Sequence, residues 1–245
     1  MIDYIFGNFL MSYIHKKVAY EKDELNKLAI VMVATKPYFW SSLVIKNALD
    51  KIKPCNFYFY GSKESVELMK LQIKYPIKYR TVDDLTEIQS YNKLMLNPIF
   101  WSEFKEEYIL IIQPDCILLR NIESKDFKFD YIGAICGNFD ENFIINGGLS
   151  LRKRNVMIDI CNNLSPQEKS GSIAEDIIFS KKIKNNVKYS CPSVDDCHNF
   201  SIEYQGLLNN VLGIHGTDKY YIHPKIKHDF AIKYLKNKKN EITSI

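Results

Sequence analysis

Apolar positions along this chain fall into two kinds of run. LAIVMVAT (28–35), CNFYFYG (55–61) and the head of YILIIQPD (108–115) are nearly unbroken blocks rich in β-branched and aromatic residues. Blocks of that length and composition predict strands buried on both faces, as in a parallel sheet. Between them, apolar residues recur at spacings of three and four over 41–52, 62–72 and 91–104, which predicts helices. Ser62 and Ser65 are candidate caps for the second of these, and Pro98 breaks or restarts the third. IKYRTV (77–82) reads as a further strand. Later come strands over 130–135 and 147–152 and helices over about 153–163 and 174–185. Strand and helix alternate throughout the first half. The pattern predicts an α/β fold, one domain over 1–245, with a mostly parallel central sheet flanked by helices.

The two ends read differently. Residues 1–25 are expected as an arm or short helix, with Ile5, Phe9, Leu10 and Tyr13 at helical spacing before the polar EKDELNK. Residues 224–245 form a basic amphipathic helix, with lysines between apolar positions 226, 230, 231, 234 and 235. Such a helix either rests on an anionic inner membrane surface or packs its apolar stripe on its own domain.

One interruption stands out. The apolar block Tyr108–Ile112 is followed by Gln113, Pro114 and Asp115, and then by a second apolar run, Ile117–Leu119. Proline removes a ladder donor and is confined to strand ends, edges and bulges. Aspartate is rarely buried without a partner. The strand is therefore expected to end here. In open α/β sheets that is where ligands bind.

Composition narrows the function classes. Lys and Arg exceed Asp and Glu by only four, 33 against 29, and no basic stripe is interleaved with aromatics, so nucleic acid is not an expected partner. The six cysteines form no CxxC pair, which argues against a structural zinc site and for a reducing, cytoplasmic setting. Cys116 and Cys136 are expected as small buried hydrophobes. No run approaches the roughly 18 apolar residues of a membrane span. The N-terminus places Asp3 before its positive charges, the wrong order for a secretory signal.

The segments SYNKLMLNPIFWSEFKEEYILIIQPDCILLRN, FDYIGAI, NGGLSLRKRNVM, AEDIIFS, FSIEYQ and GIHGTDKYY resemble, in this order, a bacterial family assigned as glycosyltransferases and formerly a domain of unknown function. The resemblance runs from about residue 85 to 222; the first 80 residues match only in outline. It implies a GT-A-like, Rossmann-like fold. The implied activity is transfer of a sugar from a nucleoside diphosphate, UDP favoured, to a hydroxyl of a glycan or lipid-linked glycan in surface polysaccharide synthesis.

The same resemblance assigns roles. Enzymes of that fold end a central strand with a short acidic motif that holds Mn or Mg against the donor diphosphate, where a hard cation stabilises the departing charge. Here the motif is Gln113-Pro114-Asp115, with an amide in place of the first acid. His215, in LGIHGTDKYY, is the implied second metal ligand, with Gly213 and Gly216 allowing close backbone approach to phosphate and Lys219 neutralising it. Asn146, Gly147 and Gly148 are expected as a loop along the sugar. Asp176 is the implied general base for an inverting transfer, with Glu175 as substitute. Adjacent helical positions point about 100° apart, so only one of the two can face the sheet. Thr35 and Lys36 are expected at the base and ribose, and Asn92 and Lys93 at the nucleotide. Tyr91 is expected in the core, as are Phe100 and Trp101, and Arg152 and Arg154 are expected to be partly structural.

Two rival classes stand beside the transferase. A non-catalytic nucleotide-sugar or glycan-binding module draws on the missing acid at Gln113. A metal-dependent phosphohydrolase would need more clustered acids or histidines than the chain offers.

Overall fold

A computed structural model describes residues 27–38, 41–52, 55–82, 85, 87–136, 143–203 and 210–216. The expected N-terminal arm, the C-terminal basic helix and Lys219 lie outside them.

Four parallel strands build one side of a six-stranded sheet: β1 (Leu28–Ala34), β2 (Asn56–Gly61), β3 (Lys78–Thr81) and β4 (Tyr108–Ile112). Every residue of β1 is buried, because a parallel strand is covered by helices on both faces. Helices α1 (Ser41–Lys51), α2 (Lys63–Gln72), α3 (Ile88–Met95) and α4 (Pro98–Ser102) supply the connections. Ser62 caps α2 by accepting from the Ser65 amide. The helical run over 91–104 restarts at Pro98, as expected, and so forms two helices. Asn97 caps α4 through the Ile99 amide, and Pro98 takes the first helical position, where its missing N–H costs nothing.

The sheet order is β3-β2-β1-β4-β7-β6, where β6 is Tyr131–Cys136 and β7 is Ile144–Lys153. β7 runs antiparallel to both neighbours, so the parallel character belongs to one half of the sheet. Strand order reverses at the β1/β4 pair, and the carboxyl ends of those two strands open onto one crevice. That is the switch point at which such sheets bind ligands. The second half adds α5 (Arg154–Asn162), α6 (Pro166–Lys169), α7 (Glu175–Lys184) and α8 (Val194–Phe200).

A small three-stranded sheet sits beside the large one, in the order β5-β9-β8, from Ile117–Leu118, Gly213–Ile214 and Ser201–Ile202. The apolar run after Gln113-Pro114-Asp115 thus belongs to a different sheet from the run before it. β4 ends at Ile112, and Cys116 N–H closes a turn on the Gln113 carbonyl at 3.1 Å. Pro114 costs no ladder bond in that turn.

The Asn146-Gly147-Gly148 segment differs from expectation. It is no loop ahead of a strand but the middle of the ten-residue β7. Pairing with β6 jumps from Gly133↔Ser150 to Ile135↔Ile145. Residues 146–149 therefore stand opposite Ala134 alone, as a bulge, a feature common beside active sites. Neither glycine has a positive φ; Gly171 and Gly216 do. One hydrophobic cluster runs through the large sheet and its helices, with Trp101, Phe100 and Tyr131 among its largest buried members. None of the six cysteines is in a disulfide; Cys116 is buried and Cys136 only partly so. Among the described residues no helix is long and apolar enough to cross a membrane.

Candidate functional site

The crevice at the switch point is a cleft of about 350 Å³. Its walls come from the ends of β1 (Val33, Thr35, Tyr38), α3 (Ile88, Tyr91, Asn92), the β4 turn (Gln113, Pro114, Asp115), the β7 bulge (Asn146, Gly147, Gly148), the start of α7 (Ala174, Glu175, Asp176) and His215.

Strand register explains how distant residues meet. β5 pairs β9 antiparallel through Ile117↔Ile214, so the next step outward sets Cys116 against His215. β8 pairs β9 in parallel through Ile202↔Ile214, so the next step sets Glu203 on the other side of His215. The His215 N–H is fixed on the Ile202 carbonyl at 2.8 Å. As a result His215 Nε2 lies 3.0 Å from Gln113 Oε1 and 3.5 Å from Asp115 Oδ1, while Nδ1 lies 3.4 Å from Glu203 Oε1. Gly148 completes the fit, because a Cβ there would collide with the imidazole. Burial opposes a charge on this ring, but its hydrogen bonds to the Asp115 and Glu203 carboxylates outweigh it and lift the His215 pKa to about 9.

The donor set at this end is a carboxylate, an imidazole and an amide oxygen. The two oxygens are hard donors of the kind Mn and Mg take, while the imidazole nitrogen fits a transition ion such as Mn better than Mg. A carboxylate on the outer nitrogen of a histidine is the usual way to aim the inner one at a metal, and Glu203 holds that position. Cys116 completes an Asp-Cys-His cluster. Its thiol is buried and donates to the Gly148 carbonyl at 3.2 Å, and sulfur is the softest of the four donors.

At the other end, α7 starts without a cap of its own, since its Ncap is Ala174. Asn92 supplies one from α3. Its Oδ1 accepts from the Glu175 N–H at 3.3 Å and its Nδ2 donates to the Gly171 carbonyl at 3.1 Å. The amide expected at the nucleotide is thus engaged in holding the helix start. Lys93, one position on, lies on the exposed face of α3, because successive helical residues diverge by about 100°. Lys36 is likewise exposed and forms no part of the cleft wall. Neither of the two lysines expected at the nucleotide is among the residues that line the cleft.

Glu175 and Asp176 divide as helical geometry requires. Glu175 is buried and gripped by Arg152 at 2.7 and 2.9 Å. The guanidinium is itself fully buried, donates to the Ser150 hydroxyl and the Gly147 carbonyl, and lies over the rings of Tyr131, Phe179 and Trp101. Gly147 has no side chain because a Cβ would meet this ion pair. Asp176 remains on the cleft wall. Burial, helped by the Glu175 charge, pushes its pKa up to about 6, against the opposing pull of Arg152 and the Ile177 and Gly147 amides.

The cleft therefore gathers ten of the expected residues: Thr35, Asn92, Gln113, Asp115, Asn146, Gly147, Gly148, Glu175, Asp176 and His215. Asn146 also braces the bulge, accepting from the Gly148 N–H at 2.7 Å. Tyr38 and Tyr91 line the cleft without an expected role there, and Glu203, which meets His215 Nδ1 from behind, had none either. Tyr91 shares a helical stripe with Ile88 and Met95, which reads as core. Glu203 lies in FSIEYQ, a phrase of the resemblance to which no role had been attached.

A family model described as "Protein of unknown function (DUF5672)" matches residues 75–215. That span holds every cleft residue except Val33, Thr35 and Tyr38. No curated protein matches the chain.

Proposed function

The chain belongs to that family, whose model covers more than half of it, and from this premise we propose that it is a GT-A-like nucleotide-sugar glycosyltransferase. The observation that carries the reading is the convergence of Asp115, Gln113 and His215 at the end of β4, in one cleft with Asp176. The first three form a polar end suited to a diphosphate. Asp176 is a carboxylate with a pKa of about 6, strong enough as a base to accept a hydroxyl proton and still ionised near neutral pH.

Asp115 and His215, with the Gln113 amide oxygen, would hold a Mn or Mg ion, which when bound neutralises charge on the departing diphosphate. The chain's own residues do the rest. The β7 bulge, free of side chains at Gly147 and Gly148, lets the Arg152–Glu175 pair and His215 pack directly against the strand and so fixes the two ends of the cleft. Asp176 takes the proton from the acceptor hydroxyl as that oxygen attacks the anomeric carbon and the carbon–phosphate oxygen bond breaks. Glu175 cannot share the task, because Arg152 occupies both of its oxygens. An inverting transfer to a glycan or lipid-linked acceptor follows from one base acting opposite the leaving group.

A binding module without turnover is the second reading. It draws on Gln113, which removes one negative charge from the metal end and so weakens any cation site. One titration series separates the two. UDP, GDP, CDP and dTDP, each with and without Mn, are titrated calorimetrically into wild type and Asp115→Ala, followed by turnover of the matching sugar conjugate by wild type and Asp176→Asn. Mn-dependent binding lost in Asp115→Ala, with turnover lost in Asp176→Asn, supports the transferase. Binding with no turnover in wild type favours the module. No binding by any nucleotide removes the transferase and leaves a glycan-binding module ahead.

A further inference from the structure

Tyr91 lines the cleft and is only 6% exposed, and its hydroxyl is buried with no hydrogen bond of normal geometry inside the protein. Burying a hydroxyl without a partner is unfavourable by about 1–3 kcal/mol, so such groups call for an explanation. The polar side chain beside it, Gln113, does not relieve it. Gln113 lies near the Tyr91 oxygen, but its carbonyl oxygen, the one acceptor it could offer, already meets His215 Nε2 at 3.0 Å. The phenol proton is left without an acceptor. Burial and the nearby charge of Glu175 hold that proton in place, with Asp176 adding to the effect. Tyr91 is therefore a neutral donor aimed into the cleft.

Its position along the cleft narrows what it meets. Gln113, at the polar end beside Asp115 and His215, touches it from one side. The acids at the start of α7 are also close enough to act on it. A nucleotide-sugar lying with its diphosphate at Asp115 and its reacting carbon toward Asp176 would set its sugar, not its phosphates, against Tyr91. We propose that the Tyr91 hydroxyl donates a hydrogen bond to an oxygen of the transferred sugar, which makes it a substrate-binding residue that selects for an acceptor oxygen at that position. This rests on the transferase reading and adds a contact which that reading does not contain.

The test is Tyr91→Phe, which keeps the ring and removes the donor. UDP, GDP, CDP and dTDP and their glucose and N-acetylglucosamine conjugates are titrated into both proteins with Mn present. For the nucleotide that binds wild type, the free diphosphate should bind Tyr91→Phe within about twofold, while the preferred conjugate loses about five- to tenfold, the worth of one hydrogen bond. Thermal unfolding without ligand supplies a second readout. The variant should melt at or above the wild-type temperature, because an unsatisfied hydroxyl has been removed. Equal losses for diphosphate and conjugate, or no loss for either, overturn the proposal and leave the transferase reading standing. So does a lower melting temperature, which would mean that the hydroxyl is already bonded within the protein. If wild type binds none of these compounds, the transferase reading falls and takes this contact with it.

Discussion

Arg152 and Glu175, 23 residues apart, form a bidentate ion pair with both side chains almost wholly out of water. The pair lies under the floor of the cleft and pins the first residue of α7. Its neighbour Asp176 is thereby presented to the cleft, since the next helical position is turned by about 100°. Removing one partner of a buried pair strands the other charge, at a cost of about 3–5 kcal/mol. Glu175→Gln and Arg152→Met should each lower stability to urea by about that much. The double variant should recover part of the loss, a coupling that a double-mutant cycle measures directly.

Asp176 makes a pH prediction whose sign can be worked out. Its pKa is raised in the folded protein, from the usual carboxylate range to about 6. The folded state therefore binds this proton more tightly than the unfolded chain does. Below about pH 4 both states are protonated and the group is neutral to stability. Between about pH 4 and 6 the unfolded chain ionises first, and stability falls as pH rises. Above about pH 6 the loss is constant, at most about 3 kcal/mol for a shift of about two units. Asp176→Asn should thus stabilise the protein at pH 8 and give little change at pH 4, as read by thermal melts across that range. The same group should put an acid limb near pH 6 on kcat/KM, and Asp176→Asn should abolish turnover.

Gly148→Ala tests the fit between the β7 bulge and His215. The added methyl would overlap the imidazole, and His215 is held from behind by its backbone bond to Ile202. Something must shift, at about 1–3 kcal/mol for an overpacked site. Mn-dependent nucleotide binding should fall in step with the loss seen for His215→Ala. Binding at wild-type strength in Gly148→Ala would separate His215 from the ligand.

The Asn92 clamp makes a prediction of a different kind. Asn92→Ala removes the only side-chain cap that reaches the Glu175 N–H among the described residues. Losing such a cap costs about 1 kcal/mol, up to about 2. The larger effect should fall on turnover, through Asp176, with nucleotide affinity changed less. A loss of nucleotide affinity as large as that of Asp115→Ala would instead give Asn92 a direct contact with the nucleotide.

Much of this architecture is local and was legible in the order of residues. β1, β2 and β4 are contiguous apolar blocks, and blocks of that kind go to the covered centre of a sheet whatever surrounds them. The strand end at Gln113-Pro114-Asp115 follows from proline and aspartate chemistry alone. The helix break at Pro98 and the Ser62 cap are equally local. The motif order of the resemblance pointed to most of the residues that line the cleft.

Tertiary structure decided what depends on register and on direction. Residues 115, 203 and 215 meet because β9 is threaded between β5 and β8, and those two-residue strands are too short to show a period in sequence. The Asn146-Gly147-Gly148 segment reads as a turn because glycine is the turn residue. It is a bulge because Arg152, Glu175 and His215 need the space that Cβ atoms would fill. Lysines 36 and 93 sit beside cleft residues in sequence and yet are exposed and not among the residues that line the cleft. Tyr91 has the spacing of a core residue, and only the packing of the cleft around it shows that its ring is buried while its hydroxyl is left for something else to meet.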